Sequence, residues 1–508
     1  MKRVASGILP MIAVDREAAH PLQRQIYDAY RTAIVSGSLR SGERIPSTRL
    51  LATELGVSRF PVLNAYAQLL AEGYFESRIG AGTVVSSSIP DQFTSSGPVS
   101  RTAAASPRSS VSHSSARAPA RPLRSTPRPV AHRIPAFRGP EAFPWLGGLG
   151  PFGIGQVALD QFPMNVWSNL IARRARKQNV RSFHYGDPRG LLALRETIAA
   201  YLRTARSLRC EPDQVMIVSG SQHALELSAR VLLDPGSHVW IEDPGYRLAR
   251  MVFALTGCHL SPVPADAEGL NVAEGIKRCP HARAALVTPS HQFPLGSTMS
   301  ASRRLQLLDW AQSSGSWIIE DDYDSEYRFK SPPISSLQGL DTNDRVIYIG
   351  TFSKVLFPAL RLGYLVIPHD LVDHFLAVRR TTDIAPAAFQ QEVLNDFMAE
   401  GHFARHIRRM RILYGERRRV LKESLNRELG DAIDILGSEA GMHLSVIFKR
   451  LKSDVEVAER AARQSLWLWP LSVSYFVKAL HQGFILGFGS TSVEEIPRSV
   501  RRLRQLLN

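Results

Sequence analysis

Near the start of the chain, apolar side chains recur at helical spacing. Leu22, Ile26, Ala29, Tyr30, Ala33 and Ile34 share one face of a first helix, which Gly37 and the Ser41-Gly42 pair end. Pro46-Ser47-Thr48-Arg49 opens a second helix, with Ser47 as N-cap and Leu50, Leu51 and Leu55 as its core face. Gly56-Val57-Ser58 turns the chain. A third helix is predicted from Arg59 to Ala71, with Val62, Leu63, Tyr66, Leu69 and Leu70 buried. Short strands at 73–77 and 83–85 flank Gly80-Ala81-Gly82 as a wing. Two helices joined by a Gly turn, the second with a basic N-terminus, form a helix-turn-helix, whose second helix can enter the major groove of DNA.

Beyond residue 140 the pattern changes. Apolar runs at Val215–Val218, Val239–Ile241, Trp317–Ile319 and Val346–Ile349 alternate with amphipathic stretches, which predicts an α/β domain over 141–508. The domains at 15–85 and 141–508 are separated by a segment, 86–140, rich in Ser, Pro, Ala and Arg. Between Gln92 and Pro140 it has no acidic residue and eight arginines: Arg101, Arg108, Arg117, Arg121, Arg124, Arg128, Arg133 and Arg138. With few bulky apolar groups it cannot offset the entropy of ordering, and it reads as a flexible linker.

Charge sharpens this picture. A net charge of +16 and a pI of about 10.1 suit a polyanionic partner. No apolar run is long enough to span a membrane, and Asp15, Arg16 and Glu17 interrupt the only N-terminal candidate for a signal peptide. Cys210, Cys258 and Cys279 lack metal-ligand spacing, so no metal site is expected and a cytoplasmic protein with reduced thiols is.

The candidate chemistry lies where the apolar runs end. A pyridoxal-phosphate (PLP) pocket needs a lysine amine for a Schiff base, a carboxylate beside the pyridine nitrogen, and donors for a phosphate. Thr351-Phe352-Ser353-Lys354 follows one run, and Arg361 lies seven residues past the lysine. Asp321, Asp322 and Tyr323 follow another. Ser219-Gly220-Ser221-Gln222 opens a helix whose free N–H groups suit an anion. Asp243-Pro244-Gly245-Tyr246 offers a ring for stacking. Adjacent strand residues face opposite ways, so either Asp321 or Asp322 can be the pyridinium partner.

Residues 15–85 resemble the winged helix-turn-helix of GntR-type regulators through Pro-Ser-x-Arg, Gly-Val-Ser-Arg and Gly-x-Gly-Thr in order. The resemblance implies DNA contacts from Arg49, Ser58, Arg59, Gly80 and Gly82. Phe60-Pro61 departs from the family's polar Asn-Thr, which puts base specificity in question. Residues from about 145 on resemble fold-type I aminotransferases, and the whole chain resembles the MocR class of regulators. That resemblance implies Lys354 bonding PLP, Asp321 on the pyridinium and Tyr323 on the ring O3'. It also implies Tyr246 stacking, with Ser221, Gln222, Ser353 and Arg361 on the phosphate and Tyr185 reaching in from a second subunit of a head-to-tail homodimer. Expected partners are an operator duplex and PLP or an amino compound, with genes of vitamin B6 or amino-compound metabolism as targets.

Two departures bear on activity. Phe293 stands where many aminotransferases have an O3'-binding Asn, and no arginine for a substrate carboxylate occurs from Gln464 to Pro497. His443 is a candidate for lining the ligand cavity. The expected function is sensing. The rivals are an active aminotransferase with a DNA-binding head, and a DNA-binding protein whose second domain only dimerises.

Overall fold

The computed structural model describes residues 3–4, 12–18, 20–78, 82–87, 145, 148–178, 183–329, 334–437 and 439–507. These fall into two compact units, one up to residue 87 and one from residue 145 onward. Residues 88–140 of the expected linker, and Gly80, lie outside the described residues, whereas Ser86 is buried in the first unit, its N–H donating to the Tyr74 carbonyl at 2.9 Å.

The first unit has helices at Leu22–Val35, Thr48–Leu55 and Arg59–Ala71, and an antiparallel pair of strands, Phe75–Arg78 and Gly82–Val85. Its centre is aromatic: Tyr30, Tyr66 and Phe75 meet edge to face at 5.3–5.6 Å between ring centroids. The Tyr66 hydroxyl donates to the Pro46 carbonyl at 3.0 Å and ties the third helix to the turn before the second. Ser47 caps the second helix, its Oγ accepting from the Leu50 N–H at 3.3 Å, and Gly56 ends it at φ +61.

Three expected core positions are not core. Leu50 is 50% exposed, Leu63 44% and Leu70 37%. The third helix instead buries Val62, Ala65, Tyr66 and Leu69. That helix is apolar on more than one face, so spacing alone could not select the buried one.

The second unit is built on an eight-stranded sheet. Its spatial order is 215–218, 363–366, 346–351, 317–322, 284–287, 238–243, 259–266 and 269–270. Strands 346–351, 317–322, 284–287, 238–243 and 259–266 run parallel, and 363–366 is antiparallel to both its neighbours. Strands 284–287, 346–351 and 363–366 are buried throughout, and 317–322 from Ile318 on, as their apolar runs require. A four-stranded antiparallel sheet, ordered 433–436, 443–448, 482–487 and 469–470, shares a core with the 28-residue helix His402–Leu429 and the C-terminal helix Glu495–Leu507.

Candidate functional site

The parallel strands carry the chemistry to one edge of the large sheet. Strands 317–322 and 346–351 pair in parallel, Asp322 opposite Gly350, so Asp321 and Lys354 emerge at the same end. Lys354 Nζ donates to the Gly155 carbonyl at 3.3 Å. Gly155 has φ +71, and a Cβ there would lie 2.4 Å from Nζ, so only glycine leaves the amine its place. Burial holds the Lys354 amine below its ordinary pKa, against the pull of Asp324 and Asp321.

Asp321 and Asp322 are both buried, yet their surroundings differ. Asp322 Oδ2 accepts from Arg206 Nε at 2.8 Å, Ser325 Oγ at 2.8 Å and Tyr348 Oη at 2.5 Å. It is thereby committed to a buried ion pair. Oδ1 of each is buried without a partner, but the Asp321 carboxylate accepts no hydrogen bond from any described residue, and burial first, then Asp322 and Glu242, push its pKa up to about 7 while Lys354 pulls it down. A buried orphan oxygen costs about 1–3 kcal/mol, and a charged donor placed against it would remove that cost.

The antiparallel strand 363–366 sets Gly363 opposite Val218, which brings Arg361 to the start of the helix Ser221–Leu232. Arg361 Nη2 donates to the Ser219 carbonyl at 2.8 Å, and a Cβ on Gly220 would come within 3.3 Å of Nη1. Arg361 itself has φ +52, a left-handed conformation that aims its fork back at the helix N-terminus. Gln222 Nε2, in that first turn, is buried and unpartnered. Ser353 lies one residue before Lys354, its N–H donating to Thr351 Oγ1 at 3.2 Å. Ser221, Gln222 and Arg361 thus border one donor-rich, cationic corner.

Tyr246 packs edge-on against Phe293 at 5.7 Å, and Phe293 against Tyr323 at 6.5 Å. Burial, with the field of Asp321, pushes the Tyr246 phenol up to about 12. The Tyr323 hydroxyl donates to the His291 carbonyl at 2.9 Å and lies 3.0 Å from His291 Nδ1. Asp324 holds that nitrogen at 3.1 Å and accepts from the Met442 N–H. His443 is buried against Phe293 and His291, its Nε2 donating to the Pro294 carbonyl at 3.1 Å, and burial lowers its pKa to about 3. Tyr185 is 81% exposed, and among the described residues no hydrogen bond or ring contact joins it to this cluster.

Sequence reasoning missed Gly155, His291, Asp324 and Glu242. Asp324 follows Tyr323 directly, and His291 precedes Phe293 in a segment already singled out, so both were within reach. Glu242 accepts from Thr288 Oγ1 at 2.6 Å and Gln292 Nε2 at 3.2 Å, anchoring the loop that carries Phe293.

The arrangement fits PLP: a buried amine, an unpartnered carboxylate that can meet a pyridinium, and an arginine over a helix N-terminus with an orphan amide donor.

In the first unit, Arg59 Nε donates to Thr48 Oγ1 at 3.1 Å, so the N-termini of the second and third helices converge. Arg49, Ser58 and Arg59 are all exposed there, and the Ser58 hydroxyl makes no capping bond. Gly82 opens the second wing strand at φ +81.

Residues 22–85 match the gntR family of bacterial regulatory proteins, and residues 151–480 match aminotransferase class I and II. The chain belongs to the MocR-type branch of the GntR family. It is 39% identical to the probable rhizopine catabolism regulatory protein MocR of Rhizobium meliloti, over 97% of this chain and 95% of that one. It is 30% identical to the pyridoxine biosynthesis transcriptional regulator PdxR of Corynebacterium glutamicum, over 94% of each. Among solved structures, kynurenine aminotransferase of Pyrococcus horikoshii in complex with PMP superposes with a TM-score of 0.69. It is 26% identical and covers 74% of this chain and 96% of that chain. The expected MocR-type architecture, a GntR helix-turn-helix head joined to a fold-type I aminotransferase-like domain, is borne out. Among the described residues, no helix is long and apolar enough to cross a membrane.

Proposed function

We propose that this MocR-type regulator is a cytoplasmic homodimer that binds PLP at Lys354 and changes its affinity for an operator duplex according to what occupies that site. The observation that carries the reading is the presence of Lys354, Asp321 and Arg361 together in a chain whose other unit is a GntR-type DNA reader. PLP, when bound, supplies an electrophilic carbonyl carbon and an electron-withdrawing ring.

The chain's own residues divide the work. Lys354 offers the amine, and burial, which lowers its pKa, favours the neutral nucleophilic form. Asp321 holds the ring nitrogen's proton, Tyr323 turns its hydroxyl from the His291 carbonyl to O3', and Tyr246 lies on the ring face. Ser221, Gln222, Ser353 and Arg361 hold the phosphate, and Tyr185 joins from the second subunit. Arg49, Ser58, Arg59, Gly80 and Gly82 contact DNA. A ligand shifts DNA affinity only by what it binds differently in the two states of the dimer.

We take PLP itself as the effector in preference to an α-amino acid, because no arginine lies between Gln464 and Pro497 to fix a carboxylate. The regulated genes are then those of vitamin B6 or amino-compound metabolism. The test is the visible absorbance of the purified protein with PLP, followed by titration with amino compounds. A band that is lost in Lys354→Ala, together with a PLP-dependent change in binding to the DNA upstream of its own gene, supports the reading. Repeated turnover between an amino donor and an oxo acid would instead establish an enzyme. No band at any PLP concentration would reduce the second unit to a scaffold.

A further inference from the structure

The helix Arg59–Ala71 buries Val62, Ala65, Tyr66 and Leu69, and presents a second apolar stripe outward. Phe60, Leu63, Ala67 and Leu70 follow one another at spacings of three, four and three residues, and all four are exposed. Phe60, at 71%, is the most exposed of the large apolar side chains in this unit. Leaving such a stripe in water is unfavourable, and a continuous one marks a contact surface.

Its surroundings identify the contact. Phe60 is the second residue of the third helix, and Arg59 beside it reaches the N-terminus of the second helix through Thr48. Arg44, Arg49 and Arg59 are exposed around the stripe's N-terminal end. A groove of about 870 Å³ lies between the start of the second helix and the wing, lined among others by Glu43, Arg44, Thr48, Leu50, Tyr66 and Gly82. Cations and helix N-termini flanking an apolar strip complement a phosphate backbone flanking a base edge. The one apolar group that a base pair presents in the major groove is the thymine 5-methyl.

We propose that Phe60 and Leu63 read thymine 5-methyl groups in the major groove, so that this head selects its operator in part by apolar contact. The inference rests on DNA binding by the head. Pro61 has no N–H to donate, sits in the first turn where none is needed, and stiffens the helix start that aims Phe60 outward.

The experiment starts from the full-length protein with PLP and a pool of random duplexes. The selected duplex is resynthesised with each thymine replaced singly by deoxyuridine, which removes the methyl and keeps every hydrogen-bonding group. Binding should fall about fourfold for each contacted methyl, the effect of burying one methyl-sized group. In Phe60→Ala that penalty should vanish at one position, and in Leu63→Ala at its neighbour. Both positions are exposed, and thermal melting of the variants checks that they fold. Equal affinity for thymine and deoxyuridine at every position overturns the proposal while leaving DNA binding intact. If Phe60→Ala then changes the sedimentation of the free protein, the stripe docks on protein instead. A pool from which no sequence is enriched would overturn sequence-specific DNA recognition and the proposal together.

Discussion

Gly155 and Lys354 meet 199 residues apart in the chain: the glycine carbonyl accepts from the lysine amine at 3.3 Å, and no Cβ fits between them. A methyl at 155 must displace Nζ, and at φ +71 it also strains the backbone. We expect Gly155→Ala to weaken PLP binding at least tenfold and to slow the growth of the visible band. Near-ultraviolet circular dichroism should show the fold retained. Titration of the band with PLP measures the loss.

Arg361 is the only side chain of the proposed phosphate corner that carries a full charge, and its partner in the structure is the Ser219 carbonyl. A charge-assisted hydrogen bond is worth about 1.5–3 kcal/mol, so Arg361→Ala should weaken PLP binding by about tenfold to a hundredfold. Pyridoxal, which lacks the phosphate, should bind parent and variant alike. An equal loss for both ligands would mean that Arg361 only supports the strand turn.

In the DNA-reading unit, Arg49 is exposed at the first turn of the second helix, a position suited to a phosphate and not to a base. Arg49→Ala should weaken binding to all duplexes by a similar factor and flatten the dependence of log affinity on log salt by about one unit. Fluorescence anisotropy at several salt concentrations tests this. A loss confined to one sequence would make Arg49 a base reader.

Much of this organisation was legible beforehand, and the reasons are local. Strands 317–322 and 346–351, central in the parallel part of the sheet, and the edge strand 215–218 are buried apart from Trp317, so 215–218, 317–319 and 346–349 appear as unbroken apolar runs, and the polar residues that follow each run mark the ligand edge. Asp321, Tyr323, Lys354 and Arg361 could be collected from those ends alone. Gly155 and Arg206 could not, because each meets its partner across more than a hundred residues, and such contacts leave no periodic trace. Leu63 and Leu70 were misplaced for a different reason. The third helix is apolar on two faces, and spacing reports a helix without saying which apolar face is inside.

Asp321 and Asp322 are neighbours in sequence with opposite expected fates on mutation. Asp322 is bound to Arg206 in the interior, so Asp322→Asn leaves a buried guanidinium without its counter-charge and should cost about 3–5 kcal/mol of stability. The Asp321 carboxylate accepts no hydrogen bond from any described residue and is pushed up to about 7 by burial and neighbouring carboxylates. Its folded pKa lies above the unfolded one. The stability it contributes is therefore complete below about pH 4 and is lost as the pH rises through about 7. Asp321→Asn removes this titration. Without PLP, the variant should match the parent near pH 4 and exceed it at pH 8 by on the order of 4 kcal/mol in urea unfolding. The same substitution removes the anion opposite the pyridine nitrogen, so its affinity for PLP should fall. Greater stability with weaker PLP binding in Asp321→Asn, and lower stability in Asp322→Asn, would assign the pyridinium partner to Asp321. The reverse pattern would assign it to Asp322.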